Sequence, residues 1–224
     1  MDNYQTVEIV FLAMLAGFIA LRLYSVLGRR NGDEGEPAGD VVAKREMPKP
    51  QIGGGGIVEA PVWREINLPQ GLSNDLRTAL QRIAEADPRF DPTGFLKGAR
   101  AAYTLILEAF WKGDVAALKP LVSDEILDQF SRSISQRMSD GHVLDNRMRE
   151  LRAAAIVDAQ LEGAMVEITV RFDAVMTAAT RAADGQLVSG SPDQPIETHD
   201  LWTFSHHIRS ADPNWLLIAS DAEG

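Results

Sequence analysis

The chain contains no cysteine, and its 32 Asp and Glu residues outnumber its 22 Lys and Arg residues. Without cysteine it can form no disulfide, thiol nucleophile or thiolate metal site, which fits a reducing compartment. The formal net charge of −10 argues against nucleic-acid binding, which depends on Lys and Arg that neutralise phosphates. A Gly-rich phosphate loop and paired His at metal-ligand spacing are also missing, so we predict neither a cofactor nor a metal site.

Long apolar runs are scarce too, and the chain has one of them, from Ile9 to Leu21. Extended to Val7–Leu27, the segment would rise about 31 Å as a helix, which is about the thickness of a hydrocarbon core. The two charges in the segment, Glu8 and Arg22, lie near its ends, where their side chains can reach the interface. We therefore predict a membrane anchor at 1–27. Its predicted lipid-facing residues are Ile9, Phe11, Leu12, Leu15, Phe18 and Leu21.

The run also has the length of a secretory signal or of a buried core helix. A cleaved secretory signal needs a basic leader and a small-residue cleavage site, and neither is present. A buried core helix that is apolar on every face needs protein all around it, and the next forty residues are too polar to supply that. The nearby basic residues, Arg22, Arg29 and Arg30, all follow the run. The positive-inside rule then predicts a single-pass protein with its N-terminus outside and its C-terminal domain in the cytoplasm.

Residues 28–70 are predicted to form a flexible tether. Glycine and proline are frequent there, four consecutive glycines occupy 53–56, and no helix or strand period is visible. About forty such residues have a typical end-to-end distance of roughly 35 Å, so the domain at 71–224 could move above the membrane.

Within that domain, helical periodicity comes first and strand alternation second. Capping residues and breakers delimit four predicted helices: Ser73 to Asp87, Asp91 to Gly113, Val115–Leu118, and Ser123 to Gly141. The predicted strands are Ala153–Leu161, Val166–Ala174 with an extension through Met176, Thr198–Arg209 and Trp215–Ala219. Asp184-Gly185 marks a turn in a Gly/Pro/Ser-rich loop that reaches Pro195. The order predicts an α+β fold in which helices pack on one face of a curved four-stranded antiparallel sheet.

Three stretches resemble the Tim-44-like domain family in order and spacing as well as in residue type. They are Phe90–Tyr103 with Ile106, Ala109 and Phe110; Gly113-Asp114 with Leu118 and Leu121–Ile126; and Leu201–Phe204 with Asp212–Trp215. The resemblance covers roughly 70–222. The short anchor and tether also resemble the bacterial inner-membrane members of the family, which places the predicted anchor in the inner (plasma) membrane.

This resemblance implies a cone-shaped, nuclear-transport-factor-like fold with a large apolar pocket. In the mitochondrial member the domain meets the inner membrane, and an N-terminal region recruits a chaperone. This chain lacks an Arg-rich transit peptide and a long charged helical region. Only the membrane-tethered domain is therefore carried over, with an unidentified membrane or chaperone-type protein as its expected partner.

The chain has four histidines, and one of them, His206, shares a predicted strand with an acidic residue. Asp200 and His206 share the strand parity of Trp202, as an acid/base couple of an isomerase or dehydratase would require. Six strand residues separate them by about 20 Å, too far for one to orient the other. We therefore predict that the protein is not an enzyme.

Six aromatic residues are expected between the helices and the sheet: Tyr103, Phe110, Phe172, Trp202, Phe204 and Trp215. They are interpreted either as packed core or, for some of them, as the lining of an open pocket for a lipid tail or an apolar peptide segment. The sequence does not separate these interpretations. The predicted function is that of a membrane-anchored adaptor in protein transport or membrane-protein assembly. The alternative is a carrier of lipid or of a hydrophobic small molecule.

Overall fold

The structure, a computed structural model, describes Leu68 and residues 71–222. The predicted anchor at 1–27 and all of the predicted tether except Leu68 lie outside the described residues. None of the helices in the described part combines the length and the apolar character needed to span a bilayer.

Four helices open the described domain, and local capping signals set their ends. They are α1 (Asn74–Ala86), α2 (Pro92–Lys112), α3 (Val115–Leu118) and α4 (Asp124–Ser139). The Ser73 hydroxyl accepts from Leu76 N, the Asp91 carboxylate accepts from Gly94 N, and the Ser123 hydroxyl accepts from Ile126 N. At the other end of α2, Gly113 has a left-handed backbone (φ 75°) and donates its N–H to the last turn.

Within residues 71–222, five strands form one antiparallel sheet. They are β1 (His142–Leu144), β2 (Arg147–Glu162), β3 (Met165–Ala182), β4 (Leu187–His207) and β5 (Leu216–Ala222). β3 is central: β1 and β2 pair with successive parts of one edge, β4 pairs with the other edge, and β5 pairs with β4. This arrangement confirms the prediction of helices packed on an antiparallel sheet.

Two details of the predicted sheet are wrong. The sheet has five described strands rather than four, because the three residues of β1 also pair with β3. The predicted loop up to Pro195 is largely strand, because β4 begins at Leu187 and includes a bulge. In that bulge Thr177 pairs with Pro195 while Ala178 pairs with Ser191, so residues 192–194 have no partner on β3.

The core lies between the helices and one face of the sheet. Alternate residues of β3, including Ile168, Val170 and Phe172, are fully buried, as the alternating pattern predicts. The helices bury one stripe each against this face, with Leu80, Ile83 and Tyr103 at 0% exposure. The packing therefore fixes α2 along the sheet and brings its C-terminal half over the far ends of β3 and β4.

Candidate binding cavity

A cavity of about 510 Å³ opens between the C-terminal half of α2, α4 and the sheet. This volume lies in the range of ligand pockets, roughly 300–1,000 Å³. The wall is formed by Ile106, Leu107, Phe110 and Trp111 of α2; Gln129, Phe130, Ser133 and Arg137 of α4; Leu144 and Asn146; Met176, Ala178, Ala179 and Thr180 of β3; Ser189, Gly190, Thr198, Asp200 and Trp202 of β4; and Ser220, Asp221 and Ala222 of β5.

Small residues on the strands leave this space. The inner face of β3 carries the large residues Ile168, Val170 and Phe172 first, and then Ala174. Where the cavity begins, β3 contributes Ala178 and Ala179, and β4 contributes Gly190. At Gly190 a Cβ atom would overlap the Ala178 carbonyl oxygen, and the backbone φ is 76°. Gly190 therefore allows the bulged part of β4 to lie directly against β3 at the cavity rim.

Arg137 is the one cationic side chain among the residues that line this cavity. Its Nη2 donates to the carbonyl oxygens of Phe110 (3.1 Å) and Trp111 (3.3 Å) at the C-terminal end of α2. Its guanidinium carbon lies 5.4 Å from the centroid of the Phe110 ring. Nη1 is buried and has no hydrogen-bond partner within the described residues. Burial lowers the pKa of the guanidinium from its ordinary value.

On the opposite wall lies a carboxylate, Asp200 of β4. The Tyr103 hydroxyl donates to Asp200 Oδ2 at 2.5 Å. Burial raises the pKa of Asp200, and this effect outweighs the hydrogen bond from Tyr103. Burial, together with the neighbouring Asp200 carboxylate, raises the pKa of the Tyr103 phenol, so the tyrosine remains a proton donor to Asp200. The sequence pattern does not reveal this pair, because 97 positions separate Tyr103 from Asp200.

Two of the six predicted pocket aromatics, Phe110 and Trp202, lie on the cavity wall. Tyr103 and Phe172 are fully buried beside it, with stacked rings 4.3 Å apart. Phe204 and Trp215 lie towards the other end of the sheet, where each contacts Phe95. The sequence pattern missed the helix α4 wall, whose residues at positions 129, 133 and 137 recur every fourth residue.

The structure places Asp200 and His206 with different partners. His206 is buried against Trp215, its Nδ1 lies 3.1 Å from the Asn214 carbonyl oxygen, and its Nε2 lies 4.0 Å from Asp87 Oδ2. Burial would raise the pKa of Asp87, but hydrogen bonds and charge from Arg89 outweigh it and lower that pKa. No cluster of three or more His, Asp or Glu residues that could hold a metal ion is found in the described part of the chain.

Comparison with known proteins gives a family. The model of the Tim44-like domain family matches residues 76–222. The uncharacterized protein RP434 of Rickettsia prowazekii is 23% identical, over 95% of this chain and 96% of that protein. The probable mitochondrial import inner membrane translocase subunit tin-44 of Caenorhabditis elegans is 22% identical over 65% of this chain, which matches only 35% of that protein's length.

Among solved structures, the intermembrane space region of the chloroplast protein ARC6 is 9% identical and covers 60% of this chain and 98% of its own, with a TM-score of 0.42. That score is too low to support an argument about this chain. The assignment rests instead on the sequence match across most of the described domain, which also confirms the resemblance carried by the three stretches named above. This chain therefore belongs to the Tim44-like domain family and is related to subunits of the mitochondrial import machinery.

Proposed function

We propose that this protein is an adaptor that binds an apolar segment of a partner protein in the cavity between α2, α4 and the sheet. The observation that carries the proposal is the cavity itself, which has a mainly apolar wall with a few polar groups at defined places. Such walls are typical of binding sites, since apolar contacts supply affinity and the polar groups fix orientation.

The relatives support a role in protein transport or in membrane-protein assembly. Two of them carry the name of mitochondrial import inner membrane translocase subunits. The chain spans 35% and 27% of the length of these two proteins, so the activity of the whole subunits comes to this chain only as part of the proposal.

The location of the protein also belongs to the proposal. The apolar run from Ile9 to Leu21 and the following basic residues support an inner-membrane anchor with the domain on the cytoplasmic side. Tethering would raise the effective concentration of the domain for membrane partners, so that weak contacts in the cavity suffice. The nuclear-transport-factor-like cone and the absence of enzymatic activity are proposed on the same family resemblance.

A carrier of a lipid or hydrophobic small molecule is the second candidate. It is favoured by the aromatic part of the wall, where Phe110, Trp111 and Phe130 would suit an acyl chain or a ring system equally well. The two functions use the same cavity and differ in what can be isolated from it.

Photo-crosslinking in intact cells tests the proposal. A photoreactive amino acid is placed at Leu144, which lines the cavity, and at Val143, which is 58% exposed and precedes it on β1. Because successive strand residues point to opposite faces, Val143 is a matched control. The adaptor predicts discrete protein adducts from position 144 that are absent from position 143. Lipid-sized adducts without protein bands would overturn the adaptor and favour the carrier.

A further inference from the structure

We propose that the segment bound in the cavity carries a carboxylate and that this carboxylate pairs with Arg137. The inference rests on the proposed function and names the chemistry of the partner: a short apolar protein segment with an acidic side chain or a C-terminal carboxylate.

The charge of Arg137 has no ionic partner in the described part of the chain. Within the described residues, no Asp or Glu forms an ion pair with this side chain; its two hydrogen bonds go to backbone carbonyl oxygens, and Nη1 has none. Buried or partly buried arginine is normally paired, since an unpaired charge loses hydration without compensation. A carboxylate that enters the cavity would supply the missing charge.

The guanidinium of Arg137 is held in place by α2. The carbonyl oxygens of Phe110 and Trp111 hold Nη2, and the Phe110 ring lies beneath the guanidinium. These contacts fix the position of the guanidinium before any ligand arrives. The Nη1 group, which has no partner among the described residues, can donate to a carboxylate, and little side-chain entropy is lost because the guanidinium is already held in place.

Polar side chains on the α4 wall favour a protein segment over an acyl chain. Ser133 and Gln129 lie one and two turns before Arg137 on the same wall and bring a hydroxyl and an amide to the cavity. An acyl chain offers them nothing. A peptide brings one N–H and one C=O group per residue, all of which need partners when they leave water. The polar row along α4 therefore favours a peptide.

The two walls of the cavity carry opposite charges. Arg137 stands on the helical wall, whereas Asp200 and Asp221 stand on the sheet wall. A carboxylate is attracted to the first wall and repelled by the second, and the carboxylate oxygens of the sheet wall can accept backbone N–H groups. The cavity thus prefers one orientation of an acidic apolar segment.

Binding of defined probes to the full-length protein tests the inference. The probes are the fluorescently labelled peptide Leu-Phe-Val-Leu-Phe with a free C-terminal carboxylate, the same peptide with a C-terminal amide, and decanoate. We expect the acid to bind at least tenfold more tightly than the amide. The variant Arg137→Gln should lose this preference, and Arg137→Lys should retain part of it. Arg132→Gln is the matched control, because Arg132 is exposed on the same helix and bonds to the Asp128 carbonyl oxygen.

Each contrary result overturns the inference in a recognisable way. Equal binding of acid and amide would remove the role of Arg137 while leaving the adaptor proposal intact. Binding of decanoate without binding of either peptide would overturn both proposals in favour of the carrier. If Arg137→Gln fails to fold, the comparison of acid and amide on the unaltered protein, and the Arg137→Lys variant, still decide the question.

Discussion

The two ends of the layer between α2 and the sheet use the same kinds of side chain with opposite results. At one end Phe95 contacts both Phe204 and Trp215, and the space is filled. At the other end the Phe110 and Phe130 rings lie 4.9 Å apart but face a cavity. The number of aromatic residues therefore does not decide where a pocket forms. The size of the strand residues opposite them does so: β3 carries Ile168, Val170 and Phe172 first, and Ala178 and Ala179 at the cavity.

Each end also contains a carboxylate, buried for Asp87 and partly buried for Asp200, and their pKa values are shifted in opposite directions. Asp87 accepts hydrogen bonds from the Arg89 backbone and side chain, so its charged form is stabilised. Asp200 accepts a hydrogen bond from a neutral phenol hydroxyl, and this bond lowers the pKa less than burial raises it. The filled end thus holds its carboxylate by charge pairing, whereas at the open end the Arg137 guanidinium has no ion-pair partner among the described residues.

The largest expected effect comes from truncating the stacked aromatic beside the cavity. Phe172→Ala should lower the free energy of unfolding by about 3–5 kcal/mol, because Phe172 is fully buried and stacked on Tyr103. Phe110→Ala should cost roughly 1–2 kcal/mol, because Phe110 is partly exposed and already faces open space. Denaturant unfolding of both variants measures this difference. Equal losses would mean that Phe110 is packed as tightly as Phe172 and does not face open space.

Gly190→Ala should follow, with a loss of roughly 2–4 kcal/mol, because the added methyl group combines a left-handed backbone with overlap on the Ala178 carbonyl oxygen. Gly185→Ala is the control: its φ is 87°, and nothing lies within 4 Å of the added carbon. That variant should lose only about 1–2 kcal/mol. Similar losses in thermal or denaturant unfolding would contradict the close approach of β4 to β3 at the cavity rim.

Tyr103→Phe should cost about 1–3 kcal/mol, because it removes the hydroxyl that donates to the partly buried Asp200 carboxylate and leaves the ring in place. The double variant Tyr103→Phe with Asp200→Asn should recover part of that loss, since an amide brings its own donors and carries no charge. A double-mutant cycle measures the coupling, and a coupling of zero would show that the pair is not formed in solution.

The smallest effect is the pH dependence, and its sign should differ between the two carboxylates. Because the pKa of Asp87 is lowered from 3.8, its contribution to stability is present above that value and is lost as the pH falls through the folded-state pKa. Because the pKa of Asp200 is raised from 3.8, its contribution is present at low pH and is lost as the pH rises through the folded-state pKa.

Unfolding of Asp87→Asn and Asp200→Asn between pH 3 and pH 7 measures this. The deficit of Asp87→Asn relative to the unaltered protein should grow as the pH rises, whereas that of Asp200→Asn should shrink. The same trend in both variants would contradict the opposite electrostatic environments of the two ends.

The sequence predicts the helices well, because their ends depend on neighbouring residues. Ser73, Asp91 and Ser123 accept from the first turn of their helices, and Gly113 takes the left-handed conformation that ends α2. The strict alternation from Val166 to Ala174 likewise predicts the central strand. The start of β4 could not be predicted, because Gly190, Pro192 and Pro195 are typical of loops and become part of a strand only through pairing with β3.

The cavity is predictable only in part, for the same physical reason. An apolar side chain that fills a core and one that lines a pocket leave the same pattern in the sequence, so Phe110 could not be distinguished from Phe172. The pairing of Tyr103 with Asp200 and the position of Arg137 above Phe110 depend on how α2 packs against the sheet and against α4. That arrangement is set by tertiary packing.

The bulge of β4 has a consequence for self-association. β5 pairs with β4 only from Asp200 onward. Along residues 187–199 of β4, no described strand pairs with the outer edge, and such an edge can template the addition of a strand from another chain. Pro192 and Pro195 have no N–H to donate, and residues 192–194 depart from the ladder. The edge is therefore unsuited to polymerisation through backbone hydrogen bonds. A partner at this end of the sheet has to be selected by its side chains.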